Sequence, residues 1–232
     1  MNERHSGMIR GVLFDMDGVL LDTERLGSRL FEQACARRGY AVPEKLYLSL
    51  LGCTAQAGFD VLHEAFGPDF PCQAVMDEVH QGIFHTAVTT GLPTKKGLAE
   101  CLTGLRARSL RLALATSTDR AIVERYVQAT PAMQNAFDVM ICGPEGGRSQ
   151  PAPDIYLEAA RRLGLEPGEC LGVEDSRNGL RSLTAAGCVS VMIPDLLPYD
   201  DSLAPYVKHR LSDLGQLCAL ADRLNLEARA RS

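Results

Sequence analysis

No apolar run in this chain approaches the ~18 residues of a membrane span, so no membrane partner is expected. There is no Cys-x-x-Cys pair. None of the eight cysteines (Cys35, Cys53, Cys72, Cys101, Cys142, Cys170, Cys188, Cys218) lies near a histidine at zinc-ligand spacing. They read as small buried hydrophobes and reduced thiols; Cys53, between Gly52 and Thr54 in a polar loop, is the one to watch. An excess of positive charge is missing too: 24 Lys and Arg stand against 29 Asp and Glu, a net charge of -5. Nucleic acid favours basic surfaces and is therefore not an expected partner. Internal repeats and low-complexity runs are absent. Met1 to Arg10 is polar and lacks the apolar core of a signal peptide, which makes a cytoplasmic location the default expectation.

What is present suits a water-soluble globular protein, with 46% hydrophobic and 23% charged residues. At 232 residues the chain accommodates one large domain, or a core with a smaller domain inserted. Val12 to Phe14 reads as a short buried strand. From Thr23 to about Gly91 the pattern is helical, with Leu26, Leu30, Phe31 and Ala34 at helical spacing and breaks at Gly39, Pro43, Gly52, Gly67-Pro68 and Pro71. After Gly91-Leu92-Pro93, strands (Leu110 to Ala115, Phe137 to Cys142, Cys170 to Val173, Val189 to Ile193) alternate with helices (Lys96 to Arg108, Arg120 to Gln128, Pro153 to Leu163, Asn178 to Ala186). That alternation predicts an α/β fold: a Rossmann-like parallel sheet with helices on both faces. The helical stretch after the first strand predicts an inserted all-helical cap, residues 23–91, with residues 1–22 and 92–232 forming the core.

The most informative segment is Asp15-Met16-Asp17-Gly18-Val19, directly after the first strand. Residues i and i+2 of a strand project to one face, so two carboxylates meet at its C-terminal end. They repel unless a cation or a shared proton relieves them, which points to metal-assisted phosphoryl chemistry. Gly18 lets the chain turn sharply where a side chain would obstruct a ligand. Taken alone, the segment reads more often as a surface acidic turn. Two other strand ends carry polar signatures, and ligands of such sheets collect at that edge. Thr116-Ser117-Thr118-Asp119 offers hydroxyls and amides for a phosphate oxyanion, or an N-cap for the next helix. Glu174-Asp175-Ser176 adds carboxylates that complete an oxygen-rich Mg²⁺ site, or an acidic cap. The three together outweigh the single alternatives.

The run from Asp15 to Glu24 resembles the first motif of haloacid dehalogenase-like phosphohydrolases, in the helical-cap branch that includes sugar-phosphate phosphatases and beta-phosphoglucomutase. Leu112 to Ser117, Pro151-Ala152-Pro153-Asp154-Ile155-Tyr156, Val173-Glu174-Asp175-Ser176 and Ala185-Ala186-Gly187 match later motifs in order. The resemblance implies that Asp15 is a nucleophile forming an aspartyl-phosphate and a ligand of Mg²⁺. Asp17 would protonate the leaving oxygen and activate water, its backbone carbonyl binding the metal. Thr116 and the Ser117 amide would hold the phosphoryl group, and Asp175, assisted by Glu174, would anchor Mg²⁺.

The departures from the family pattern are as telling. A family lysine precedes the Pro-Ala-Pro-Asp segment, and here Gln150 stands in its place at the phosphate site. Losing one charge-stabilising group costs on the order of 10²–10³ in rate. Arg148, in the same loop, is a candidate substitute, although a solvent-exposed arginine is the plainer reading. Mutase-like members carry a histidine where Gly27 stands and an arginine in the cap loop, where Gly52 to Gln56 has none. Lys45, Lys95, Lys96, His63, His80 and His85 read as surface or core residues, and Leu196 to Tyr199 as a packed loop. The expected function is therefore a Mg²⁺-dependent phosphatase of a small phosphorylated metabolite such as a sugar phosphate, in a monomer or weak homodimer. The alternatives are a phosphohexomutase and a phosphate-metabolite binding protein weakened by Gln150.

Overall fold

A computed structural model describes residues 7–43, 45–51 and 55–231. Cys53 and most of the Gly52 to Gln56 loop lie outside the described residues. Six strands form one parallel sheet in the order β3-β2-β1-β4-β5-β6. They are β1 (Gly11–Phe14), β2 (Arg111–Thr116), β3 (Val139–Cys142), β4 (Cys170–Glu174), β5 (Val189–Met192) and β6 (His209–Arg210). Strand order reverses between β1 and β4, which opens a crevice at their C-terminal ends. Phe14 pairs level with Leu114 and with Val173. Asp15, Thr116, Glu174 and Asp175 therefore emerge along one edge of the sheet.

The strands are apolar because both faces are covered. Val12 and Phe14 of β1, with Leu112 and Leu114 of β2, point into one cluster. That cluster is closed by α5 (Leu98–Ala107), α6 (Arg120–Ala129) and α9 (Leu217–Arg229), through Leu105, Val123, Leu217 and Leu220. Leu13, Ala113 and Ala115 point to the opposite cluster. There the small alanines admit Ile155, Tyr156 and Ala159 of α7 (Asp154–Leu163), and Leu183 joins from α8 (Arg177–Ala186). This is the expected Rossmann-like core. Two elements fall outside the sequence expectation. β6 is two residues long, too short for any alternation to show. The signal for α9 was legible in Leu217, Leu220 and Leu224, which recur at helical spacing.

Between β1 and α5 the elements among the described residues are all helices: α1 (Thr23–Ala36), α2 (Leu46–Leu50), α3 (Ala55–Phe66) and α4 (Cys72–Thr89). They enclose a separate core of Phe31, Leu62, Phe70, Val75 and Val79. Phe66 stacks on Phe70, and Tyr40 meets both rings edge-on. Gly39, Gly67 and Gly91 break these helices where the sequence placed breaks. Of the cysteines, the seven described are unpaired and six are buried.

The two chain crossings between these helices and the sheet are tied together. The Asp22 amide donates to the Pro93 carbonyl (2.8 Å) and the Lys95 amide to the Leu20 carbonyl (2.9 Å). Their side chains join a third segment. Asp195, after β5, has no exposed side-chain surface; its Oδ1 meets Lys95 Nζ at 2.6 Å and Arg25 Nη2 at 3.0 Å. Asp22 Oδ1 completes the network at 3.4 Å from Arg25 and 3.7 Å from Lys95. Lys95 is thus not the solvated charge its sequence neighbourhood suggests, whereas Lys96 is 84% exposed beside Asp213. Asp195→Ala should lower stability by about 1–3 kcal/mol, less than a wholly buried pair because Arg25 is half in water. In a thermal melt each kcal/mol corresponds to about 2–4 °C for a chain of this length. An unchanged melting temperature would show that the crossings do not depend on the network.

Candidate active site

β1 delivers Asp15 to the crevice, its amide donating to the Val173 carbonyl of β4 (3.1 Å). The chain then turns through Gly18 at φ +78, a conformation that disfavours side chains. Space alone would forbid one, since an added Cβ would lie 2.2 Å from Asp175 Oδ2. Carboxylate oxygens of Asp15, Glu174 and Asp175 lie within 4.8 Å of one another. Burial first, then the negative charges of Glu174, Asp17 and Asp175, hold the Asp15 carboxyl well above the usual carboxylate range. Asp175 is pushed up in the same way, by burial and then by Glu174.

Glu174 differs from its two neighbours. Its Oε1 accepts from Tyr156 Oη and from Gln150 Nε2 (3.1 Å). Its Oε2 accepts from the Asp175 and Ser176 amides (both 3.2 Å) and from Ser176 Oγ (3.0 Å). Ser176 Oγ in turn caps α8 by accepting the Gly179 amide (3.0 Å). Burial and the charges of Glu174 and Asp15 keep the Tyr156 hydroxyl protonated, and so a donor. Gly179 leaves room for the carboxylate, which would meet an added Cβ at 1.7 Å. Burial leaves the Glu174 carboxyl raised, while its hydrogen bonds pull it down and the five together fix it in place. Asp15 and Asp175 have only backbone amides as donors among the described residues, so their oxygens remain available.

Asp17 stands outside this cluster although it is only two residues from Asp15. Thr23 Oγ1 donates to its Oδ1 (2.6 Å) and Thr118 Oγ1 to its Oδ2 (3.0 Å). Burial pushes its carboxyl up, while the two hydroxyls pull it down. Among the described residues its backbone carbonyl accepts no amide. Hard oxygen donors in an uncompensated acidic cluster fit a divalent cation of the Mg²⁺, Ca²⁺ or Mn²⁺ kind. Asp15, Asp175 and the Asp17 carbonyl have the free oxygens to hold it.

A cavity of about 510 Å³ opens over Asp15, Asp17 and Asp175, and Ser117, Thr118 and Gln150 also line it. Thr116 lies one residue inside that wall, 1% exposed, its Oγ1 accepting the Thr118 amide (3.2 Å). The sequence-expected residues therefore come together, with Thr116 set just behind Ser117. Arg148 does not join them. It is 78% exposed and forks onto Asp154 at 3.0 and 3.1 Å. Among the described residues Arg177 is the one arginine or lysine lining the cavity, and it is engaged by Ser202 (2.7 Å) and Asp200 (3.1 Å). Sequence reasoning missed Tyr156 as the partner of Glu174, and among the residues lining this cavity it missed Glu24, His80 and Leu197. Glu24 is pushed up to about 8, by burial and then by the Asp17 and Asp195 charges. Tyr47 explains Gly27: its hydroxyl lies 2.3 Å from where a Cβ on residue 27 would stand.

A carboxyl whose folded-state pKa lies above its unfolded value binds its proton more tightly when folded. Its contribution to stability is then largest at low pH and is lost as pH rises towards the folded value. The metal-free protein should melt at a lower temperature near pH ~7.5 than near pH ~5.5, and added Mg²⁺ should recover more at the higher pH. Asp175→Asn should shrink both differences. A melting temperature insensitive to Mg²⁺ at the higher pH would contradict the cation site.

Comparison with known proteins gives a consistent picture. A model of the haloacid dehalogenase-like hydrolase family matches residues 9–187. The chain is 34% identical to the CbbY protein of Rhodobacter capsulatus, covering 80% of this chain and 86% of that protein. It is 31% identical to a phosphorylated carbohydrates phosphatase of Thermotoga maritima, covering 77% and 82% of the two. The crystal structure of CbbY from Rhodobacter sphaeroides in complex with phosphate superposes with a TM-score of 0.75 at 26% identity, over 90% of this chain and 96% of that one. With the model spanning most of its length and the sheet edge built as described, this chain belongs to the haloacid dehalogenase-like hydrolase family.

Proposed function

We propose that the chain is a Mg²⁺-dependent phosphatase of a small phosphorylated metabolite, a sugar phosphate or a close derivative, acting through an aspartyl-phosphate on Asp15. The observation that carries this reading is the division of labour between two carboxylates two residues apart. Asp15 sits in an acidic cluster fit for a cation, while Asp17 is held outside it by two hydroxyls. We read residues 23–91 as the cap and residues 1–22 and 92–232 as the core. The names of the relatives, a phosphatase of phosphorylated carbohydrates among them, point the same way.

In this reading an Asp15 oxygen attacks phosphorus. The Asp17 carboxyl, pushed upward by burial, gives its proton to the departing alkoxide and later takes one from the attacking water. Thr23 and Thr118 keep it in one orientation for both transfers. Ser117 lines the phosphoryl cavity with neutral donors, Gln150 lines it with its Nε2 turned to Glu174 (3.1 Å), and Thr116 keeps its hydroxyl proton to donate. Bound Mg²⁺ supplies the positive charge that lets two anions meet. Asp15, Asp175 and the Asp17 carbonyl would hold it, and Glu174 would fix the geometry. Closure of the helical cap would limit access to water. A mutase has less to stand on, because Tyr47 fills the space that a histidine at position 27 would need.

Phosphate release from a panel of sugar and small-metabolite phosphates should require Mg²⁺ and fall at least about 10³-fold in Asp15→Asn. No release from any substrate, or turnover that survives in Asp15→Asn, would overturn the reading. Gln150→Lys should raise kcat by about tenfold or more, by adding the charge the cavity lacks. Arg148→Ala, at an exposed ion pair outside the cavity, should leave turnover unchanged. A lysine at 150 that brings no gain would mean that the metal alone balances the site.

A further inference from the structure

Asp17 borders two cavities. One is the phosphoryl cavity over Asp15. The other, about 440 Å³, shares Asp17, Glu24, Thr118 and His80 with it and extends between the cap and α6. If Asp17 protonates the leaving oxygen, the body of the leaving alcohol has to lie beyond Asp17, away from Asp15 and Asp175. The second cavity is the space in that direction. Its size falls within the ~300–1,000 Å³ typical of small-ligand sites.

The walls of this second cavity do not suit a bare sugar. Met76, Val79 and Ile83 face it from α4, and Ile122 and Tyr126 from α6. A hydroxyl buried against such side chains loses its water without gaining a partner, at about tenfold or more in affinity for each one. The cavity's polar lining includes Asp17, Thr23, Glu24, Gln81 and Thr118; Glu24 and Tyr47 are held together (3.5 Å), and His80 reaches both cavities. Towards the outer wall, Arg125 of α6 lies over the Phe84 ring of α4, 4.9 Å from its centroid. Phe84 is 37% exposed and belongs to no core cluster, so packing of the fold does not account for it. Among the described residues Arg125 has no hydrogen-bond partner. A guanidinium over an aromatic face is a stacking platform.

We propose that the preferred substrate is a pentose 5-phosphate whose sugar carries a planar heterocycle, as in a nucleoside 5′-monophosphate. The sugar sits by Glu24, Tyr47 and His80, and the ring lies between the α4 and α6 walls against the Arg125–Phe84 pair. This rests on the hydrolytic reading above and narrows its substrate class. The ring adds apolar contact that a sugar alone lacks, and Phe84 and Arg125 select for it.

The test is a matched pair, uridine 5′-monophosphate and ribose 5-phosphate, which share the leaving oxygen and differ in the ring. With Mg²⁺ present, kcat/KM should favour the nucleotide by at least about tenfold, and Phe84→Ala should collapse that ratio to about threefold or less. Equal or better turnover of ribose 5-phosphate, or a ratio untouched by Phe84→Ala, overturns the proposal. If neither compound is hydrolysed, the hydrolytic reading fails separately, and binding to Asp15→Asn decides this one. Tighter binding of the nucleotide supports the ring site, and equal or weaker binding overturns it.

Discussion

Repulsion among Asp15, Glu174 and Asp175, held within 4.8 Å of one another where β1 and β4 end, is the constraint the rest of the molecule serves. Three buried like charges are tolerated only if each is fixed or neutralised. Glu174 is fixed by five hydrogen bonds from Tyr156, Gln150, Ser176 and two backbone amides. Glycines at 18 and 179 exist because carboxylates occupy the places their side chains would take. Asp15 and Asp175 have no such support, and no unengaged lysine or arginine lines their cavity among the described residues. The balance is left to a cation. With Gln150 standing where the resemblance implies a lysine, more of the neutralisation would fall to a bound divalent cation.

The same sheet edge separates the proposed acid from the proposed nucleophile within three residues. Asp15 and Asp17 leave one strand end together, yet the turn at Gly18 carries one into the acidic cluster and the other between two threonine hydroxyls. Two carboxyl groups whose surroundings set them apart are the usual mark of assigned acid–base roles. Thr23 opens α1 and so belongs to the helical insertion, while Thr118 follows β2. The orientation of Asp17 is thus joined to the way the cap meets the core. The ionic network of Asp22, Arg25, Lys95 and Asp195 holds the two crossings at the same place.

The fold was legible because its signals are local. Val12 to Phe14, the breaks at Gly39 and Gly67 and the later strand–helix alternation each follow from periodicity or turn chemistry. The acidic strand ends were legible because their order along the chain becomes their proximity at a switch point. Contacts across long separations were not. Lys95 meets Asp195 a hundred residues away, so it looked like an ordinary surface lysine. Gly27 read as a missing histidine, and only the Tyr47 hydroxyl above it explains the glycine. His80, Phe84 and Arg125 carry no motif, since a helix face against another helix face leaves no fixed spacing between them. Arg148 reads more plainly from the sequence as a solvent-exposed arginine than as a stand-in for the family lysine, and it is exposed and paired with Asp154.

In the proposed mechanism Asp15 becomes covalently phosphorylated under the control of a cation held by its neighbours. The direct measurement is an acid quench during turnover with Mg²⁺, followed by peptide mass spectrometry. The account predicts a phosphoryl adduct on Asp15 that needs Mg²⁺ and accumulates when Asp17 is replaced by asparagine and substrate protonation is bypassed with a good leaving group. An adduct on another residue, or phosphate release with no adduct on Asp15 under any of these conditions, would contradict it.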